Sequence, residues 1–198
     1  MKILYLSKSK LNYSVNAVYI NGLRQNSVSV VELQILKGIK GYKQAVVYYL
    51  KNKTAFDFIM VGYESSDLVI LLRLLSRKKI IYNALCSMYE RLIVSRALSS
   101  PFSFKSFAYW LLDFIAMHCA DLIMLESQNQ IEYCKKLFKL SFKKLHLAWT
   151  GVDNGRFSFN PKIRKFPQFT VIFRGRFLPE AGVEVLIQAA KIFENENI

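Results

Sequence analysis

The sequence contains little cysteine and histidine, and each scarcity argues against a class of site. Its three cysteines, Cys86, Cys119 and Cys134, are odd in number and widely spaced. Without a Cys-x-x-Cys pair they argue against both a disulfide framework and a zinc site. The two histidines, His118 and His146, have no sequence context that would form a Ser-His-Asp or Cys-His arrangement or a metal site. We therefore expect buried free thiols and no bound metal.

The sequence also lacks a long apolar run. Its most apolar stretch, 107–117, is about half of the roughly 20 residues that a transmembrane helix needs, and Asp113 interrupts it. Residues 1–6 have the pattern of a strand rather than the apolar segment and cleavage site of a secretory signal. We expect a cytoplasmic protein, with a peripheral position on the inner face of the membrane as an alternative.

Acidic residues are few, since Lys and Arg number 28 and Asp and Glu number 14. The resulting net charge of +14 attracts polyanions. Three partners fit this charge: a nucleic acid, an anionic membrane surface and a phosphorylated substrate. Nucleic acid is disfavoured because the sequence has no RNP-like aromatic strand, zinc finger or basic zipper pattern.

Short apolar runs alternate with helix-period stretches along residues 1–154. Strand patterns cover 2–6, 27–33, 56–61, 79–82, 121–125 and 144–148, and helix patterns cover 14–23, 42–50, 68–75, 89–98, 103–119 and 129–140. This alternation predicts an α/β fold, a Rossmann-like parallel sheet with helices on both faces. Residues 155–168 contain two prolines and little periodicity, which is typical of an interdomain linker. Residues 169–198 then predict one βα unit of a truncated second domain.

Ligands of an open parallel sheet bind at the carboxyl ends of its strands, so polar residues in those loops are candidates. The first loop has no glycine, which argues against a dinucleotide fingerprint and a nicotinamide cofactor. The acceptor-side candidates are Asn12, Ser14 and Asn16 after the first strand and Asn83, Ser87 and Tyr89 after the fourth. Their amides and hydroxyls suit carbohydrate or lipid-headgroup recognition, and equally suit the backbone groups at helix starts.

The most specific pattern lies in residues 169–193. A predicted strand carries Arg174 and Arg176 to the carboxyl edge of its sheet, and a glycine-containing loop and a helix follow. Two guanidinium groups close to a helix N-terminus suit a diphosphate.

Residues 173–193 resemble the GT-B-fold retaining glycosyltransferases of family four, whose second domain opens with a strand, Gly-Arg, a loop, Lys-Gly and a helix. The segments Ala120-Asp-Leu-Ile-Met-Leu-Glu-Ser127 and Thr150-Gly-Val-Asp-Asn-Gly-Arg-Phe157 are also similar to that family. The resemblance implies metal-free, cofactor-free transfer of a sugar from a nucleotide-sugar donor. It places Arg176, Gly175 and Arg174 at the donor diphosphate, with Ala181 where the family has a lysine. The carboxylates that engage the donor sugar are expected beyond these residues.

Two hypotheses follow from the resemblance and the charge. The first is a glycosyltransferase acting on a lipid-linked or cell-envelope glycan, with its basic domain resting on an anionic membrane through the aromatic helix at 102–119. The second is a non-catalytic remnant or one half of a split glycosyltransferase. That chain would act as a binding module and need a second chain to complete the donor domain.

Overall fold

A computed structural model describes residues 1–155, 157–163, 166–168 and 170–195. The strands are β1 (Lys2–Ser7), β2 (Ser29–Gln34), β3 (Phe58–Val61), β4 (Ile80–Leu85), β5 (Leu122–Leu125) and β6 (Leu145–Leu147). The α-helices are α1 (Ser14–Gln25), α2 (Ile39–Asn52), α3 (Ser66–Leu75), α4 (Phe104–Cys119), α5 (Gln128–Phe138) and α6 (Val183–Asn195). The strands form one parallel sheet in the order β2-β1-β3-β4-β5-β6, which confirms the predicted α/β class.

Each face of the sheet buries its own apolar core. Leu4 and Leu6 of β1 pack with residues of α2, α3, α4 and α5, whereas Ile3 and Tyr5 pack with α1. This alternation is the two-residue period of a β-strand. Because β1 is buried on both faces, its sequence is a continuous apolar run rather than an alternating one.

The position of α1 follows from the strand order. The connection from β1 to β2 moves in one direction across the sheet, and the later connections move in the other. Right-handed crossovers therefore place α1 on one face and the helices from α2 to α5 on the opposite face.

The elements differ from the sequence-based expectation in two places. The predicted helix at 89–98 is a shorter π-helix, Glu90–Ser95. The predicted strand at 169–173 is wrong for residues 170–173, which are exposed and form no strand, while Phe169 lies outside the described residues. A strand needs a neighbouring strand for its ladder hydrogen bonds, and this segment has none among the described residues. The helix predicted next is present as α6.

The described residues of the predicted linker, 155–168, lie in turns and irregular structure. Within the described ranges, no helix is long and apolar enough to cross a membrane. All three cysteines are free, as predicted, but only Cys134 of the three is buried.

Candidate functional site

The loops that follow the strands meet at the carboxyl edge of the sheet. β1 and β3 are neighbours although β2 separates them in the chain, and such a reversal opens a crevice that is the usual ligand site of open α/β sheets. Two non-glycine residues at this edge have left-handed backbones, Glu64 after β3 (φ 59°) and Leu85 at the end of β4 (φ 61°). Strained conformations of this kind cost roughly 1–3 kcal/mol and cluster at functional sites.

The crevice between β1 and β3 is closed by the side chain of Asn16. Its Nδ2 donates to Ser9 Oγ (2.8 Å) and to the carbonyl oxygen of Lys10 (3.0 Å). Its Oδ1 accepts from the Tyr5 hydroxyl (3.0 Å) and from the Tyr63 N–H (3.3 Å). An asparagine amide has two donors and one oxygen with two lone pairs, so the hydrogen-bonding capacity of Asn16 is used within the protein. Asn16, predicted as an acceptor-side residue, is fully buried and joins the loops after β1 and β3.

Gly62 permits this closure because it stands against Asn16. A Cβ atom at Gly62 would lie 2.7 Å from Asn16 Oδ1 and 2.8 Å from Ser7 Cβ. Both distances are far below the roughly 3.5–4.0 Å of a carbon contact. The glycine is therefore required for the close approach of the two loops.

Lys8, also in the loop after β1, is engaged by a carboxylate. Its Nζ lies 2.5 Å from Asp67 Oδ2, and Tyr42 donates its hydroxyl proton to the same oxygen. Burial opposes the charge of the ammonium, but the hydrogen bonds to Asp67 and Tyr42 outweigh burial and raise the pKa of Lys8. This lysine neutralises Asp67 at the start of α3, so its charge is already compensated within the protein.

The candidates predicted after the fourth strand lie in β4 and behind it, since Asn83 is inside β4 and only Ser87 and Tyr89 follow the strand. Asn83 is buried, and its Nδ2 donates to the carbonyl oxygen of Val15 in α1 (2.8 Å). Ser87 is also buried, and its hydroxyl accepts from the Glu90 N–H (3.0 Å) at the start of the π-helix. Ser87 thus satisfies a backbone group at the start of the π-helix, and Asn83 satisfies a carbonyl oxygen in the first turn of α1. Among the described residues, Asn83 Oδ1 has no hydrogen-bond partner.

Asp113 of α4 is the main residue that the sequence does not reveal. It is fully buried, and its carboxyl oxygens accept from the Ser66 hydroxyl (3.2 Å) and the Tyr89 N–H (2.8 Å). Burial raises the pKa of Asp113 to about 6. Because Ser66 begins α3 and Tyr89 precedes the π-helix, Asp113 ties together the loops after β3 and β4. The available signal was a single acid in an otherwise apolar helix.

A cavity of about 420 Å³ opens between the first turns of α1 and the residues that follow β6. The residues lining it include Asn12, Ser14, Ala17, Gly151, Asp153 and Arg174. Its volume is within the roughly 300–1,000 Å³ of small-molecule sites. The cavity brings Asn12 and Ser14, predicted on the acceptor side, together with Arg174, predicted at the donor diphosphate. We call it the α1 cavity.

Contacts along the walls hold the α1 cavity in shape. Tyr19 of α1 donates its hydroxyl proton to the carbonyl oxygens of Ala148 (2.7 Å) and Trp149 (3.1 Å), just after β6. Gly151 approaches α1 so closely that a Cβ atom there would lie 2.8 Å from Val18 Cγ1. The hydrogen bond from Tyr19 and the close approach of Gly151 to Val18 therefore hold the segment after β6 against α1.

Arg174 supplies the positive charge of the α1 cavity. Its guanidinium carbon lies 5.7 Å from the centroid of the Phe157 ring, within the range of a cation–π interaction. Phe157 is in turn held by its N–H, which donates to the carbonyl oxygen of Asp153 (2.9 Å). The partial positive charge at the N-terminus of α1 adds to that of Arg174. Both attract an anionic group, whereas the carboxylate of Asp153 on the same lining opposes it.

The other predicted donor residues lie outside the lining of the α1 cavity. Arg176 is exposed, and Gly175 packs against Phe173, whose ring a Cβ atom would approach to 2.7 Å. Ala181 ends the short 3₁₀-helix Pro179–Ala181. The adjacent Glu180 forms an ion pair with Arg96 (2.7 Å), which joins this segment to the region between the π-helix and α4.

The histidines and acids give no sign of a metal site. His118 Nδ1 lies 2.8 Å from the carbonyl oxygen of Phe114, and His146 is exposed on β6. No cluster of three or more metal-ligating side chains occurs in the described parts of the chain. In comparisons with known proteins, no family model and no curated protein matches the sequence.

Proposed function

We propose that this chain supplies the acceptor-side domain and part of the nucleotide-sugar site of a glycosyltransferase. One observation carries the proposal: the α1 cavity collects Asn12, Ser14 and Arg174, which the sequence marks separately as acceptor-side and donor-side residues. The resemblance of 173–193 to family four gives the reaction its class. In that reaction an acceptor hydroxyl oxygen bonds to the anomeric carbon of the sugar, the bond to the nucleoside diphosphate breaks, and the hydroxyl proton passes to the leaving diphosphate.

Each group in the α1 cavity has a role in the proposal. The Arg174 guanidinium has five N–H donors in a planar fork, which suits the oxygens of a diphosphate. The first turn of α1 adds backbone N–H groups and a partial positive charge. Asn12 and Ser14 offer an amide and a hydroxyl for sugar hydroxyls. No group in this proposal requires a metal ion.

Ala181 weakens the proposed diphosphate site. The family resemblance places a lysine there, and a hydrogen bond from a charged donor contributes about 1.5–3 kcal/mol. We expect donor binding by this chain to be weaker by the corresponding factor, roughly 10–150-fold. Arg176 is exposed and close in sequence to Arg174, and would supply the second cation.

The proposed acceptor is a lipid-linked or cell-envelope glycan. The resemblance supports this acceptor, and so does the net charge of +14. A positive charge attracts both a phosphorylated acceptor and an anionic membrane surface. A peripheral position on the inner face of the membrane belongs to the same proposal.

A ligand-stabilisation screen tests the proposal. Thermal unfolding of the chain is measured with and without nucleoside diphosphates and their sugar conjugates, for the wild type, Arg174→Ala and Arg77→Ala. Arg77 is an exposed control, since it lies between α3 and β4 at the opposite edge of the sheet. We expect stabilisation of the wild type and of Arg77→Ala, and a weaker effect for Arg174→Ala. The same stabilisation of all three proteins, or of none, contradicts the proposal.

A second candidate function is a binding module that does not catalyse transfer alone. Two observations favour it: Ala181 replaces the expected lysine, and α6 exposes apolar side chains, among them Val185, Ile187 and Phe193. Exposed apolar side chains of this kind fit a second chain that completes the donor domain. Sugar transfer from a nucleotide-sugar by the purified 198-residue chain, measured with a labelled donor, would exclude this candidate.

A further inference from the structure

A continuous apolar surface lies on the outer side of α4 and on the loop that precedes it. It consists of Leu98, Phe102, Phe104, Phe107, Leu111 and Ile115, and we call it the α4 surface. Phe102 is 99% exposed and Phe104 is 85% exposed. Exposed rings of this size cost hydrophobic free energy in water, and a contiguous group of them marks an interaction site.

The arrangement follows from the helical period of α4. Phe104, Phe107, Leu111 and Ile115 recur at spacings of three and four residues, so they form one stripe along the helix. The opposite side of α4 carries Asp113 and the core residues Ala116 and Met117. The helix is therefore apolar both toward the core and toward the outside, and packing within the protein accounts only for the inner side.

The exposed charged residues of α4 and of the loop before it are basic, and one carboxylate from outside this segment, that of Glu180, pairs with Arg96 of the loop. In residues 91–120, all of which the structure describes, the only acid is Asp113, and it is fully buried. Lys105 is exposed beside Phe104. The whole chain carries a net charge of +14. Because Arg96 neutralises Glu180, the exposed rings and Lys105 still complement a layer of anionic lipid headgroups.

We infer that the α4 surface docks the protein on an anionic lipid bilayer. α4 lies in the plane of the interface, because its inner side packs on the core and its outer stripe faces the bilayer. Phe102 and Phe104 enter the acyl region, and Lys105 contacts the headgroups. A cavity of about 280 Å³ lined by Tyr89, Phe102 and Trp110 opens at this surface. Because Tyr89 follows β4, the docked face adjoins the loops at the carboxyl edge. The inference rests on the peripheral membrane position in the proposed function, but its test requires no glycosyl transfer.

Vesicle co-sedimentation of the full chain tests this inference. The vesicles consist of phosphatidylcholine alone or of phosphatidylcholine mixed with phosphatidylglycerol. We expect binding to the mixed vesicles, weakened about tenfold for each phenylalanine removed in Phe102→Ser and Phe104→Ser. Lys105→Gln should weaken it roughly fivefold. The matched control is Phe177→Ser, because Phe177 is 86% exposed and lies outside the α4 surface.

The outcomes separate a membrane from other partners. Equal binding to both vesicle types, or equal losses for Phe102→Ser and Phe177→Ser, would overturn the inference. A dimer of the wild type by light scattering that Phe102→Ser abolishes, without vesicle binding, would assign the α4 surface to a protein interface and overturn it as well. Because both phenylalanines are exposed, the variants should retain the thermal unfolding temperature of the wild type, which confirms that the fold is intact.

Discussion

The substitution Gly62→Ala tests how the crevice between β1 and β3 is closed. The new Cβ atom would lie 2.7 Å from Asn16 Oδ1 and 2.8 Å from Ser7 Cβ, about 1 Å short of van der Waals contact. Neither neighbour can move freely, since Ser7 is buried in β1 and Asn16 is held by hydrogen bonds on both ends of its amide. Overpacking of a buried site costs about 1–3 kcal/mol, and we expect a loss near the upper end.

The variant Asn16→Ala gives a second arm of the same experiment. It leaves the buried hydroxyl of Tyr5 and the backbone N–H of Tyr63 without the acceptor oxygen that they share now. Each unsatisfied buried group costs about 1–3 kcal/mol, so we expect a loss of roughly 2–4 kcal/mol. Asn16→Ala also removes the oxygen that the new Cβ atom of Gly62→Ala would contact. The loss of unfolding free energy in the double variant should therefore be smaller than the sum of the two single losses, by about 1 kcal/mol.

Urea unfolding of the wild type, Gly62→Ala, Asn16→Ala and the double variant measures these unfolding free energies. Gly22→Ala is the matched control, because Gly22 lies inside α1 and a Cβ atom there would have no neighbour within 4 Å. That substitution should stabilise the protein by about 0.4–1 kcal/mol. Two results would show that the close contact between Gly62 and Asn16 does not shape this edge of the sheet. One is a Gly62→Ala variant as stable as the wild type. The other is a double variant whose loss of unfolding free energy equals the sum of the two single losses.

Two further predictions concern buried polar groups. Burial raises the pKa of Asp113 from an ordinary 3.8 to about 6. The contribution of Asp113 to the unfolding free energy is therefore fully present below about pH 4 and is lost as the pH rises through about pH 6. The loss amounts to roughly 3 kcal/mol. Urea unfolding over this pH range should show that loss for the wild type relative to Asp113→Asn, and parallel curves for the two proteins would contradict it. Tyr19→Phe removes the hydroxyl that bonds the carbonyl oxygens after β6 and should cost about 0.5–1.5 kcal/mol. Hydrogen exchange should then be faster at the Ala148 N–H, which donates to the carbonyl oxygen of Leu125, and unchanged exchange there would argue against the fixation of this wall by Tyr19.

The sequence predicts most of the elements because their signals are local. β1 is a continuous apolar run followed by polar residues, and its predicted bounds of 2–6 differ from Lys2–Ser7 by one residue. α4 is predicted as 103–119, and the structure has Ser103 as the N-cap, accepting from the Ser106 N–H. Such patterns depend on neighbours within a few residues. The strand predicted at 169–173 is absent at 170–173 because strand formation also needs a partner strand. No pattern within the segment itself reveals whether such a partner is present.

The candidate site was predictable only in part. Asn12 and Ser14 were selected by their place after β1, and Arg174 by its place at the end of a predicted strand. Residues 170–173 form no strand, yet all three residues line one cavity. Asn16 was selected by the same rule and is instead a buried link between loops. Its partner Tyr63 is 47 residues away in the chain. Contacts between such distant residues depend on the strand order, which the alternation of strands and helices does not specify.

A calorimetric titration with a nucleoside diphosphate tests the central claim, that the α1 cavity is the ligand site, most directly. The informative pair is the wild type and Ala17→Phe. Ala17 lines the α1 cavity from a half-buried position in the first turns of α1, so a phenyl ring there fills the space and leaves the charge of Arg174 unchanged. We predict heat of binding for the wild type and none for Ala17→Phe at the same concentrations. Equal affinity of the two proteins would place the ligand elsewhere and contradict the claim.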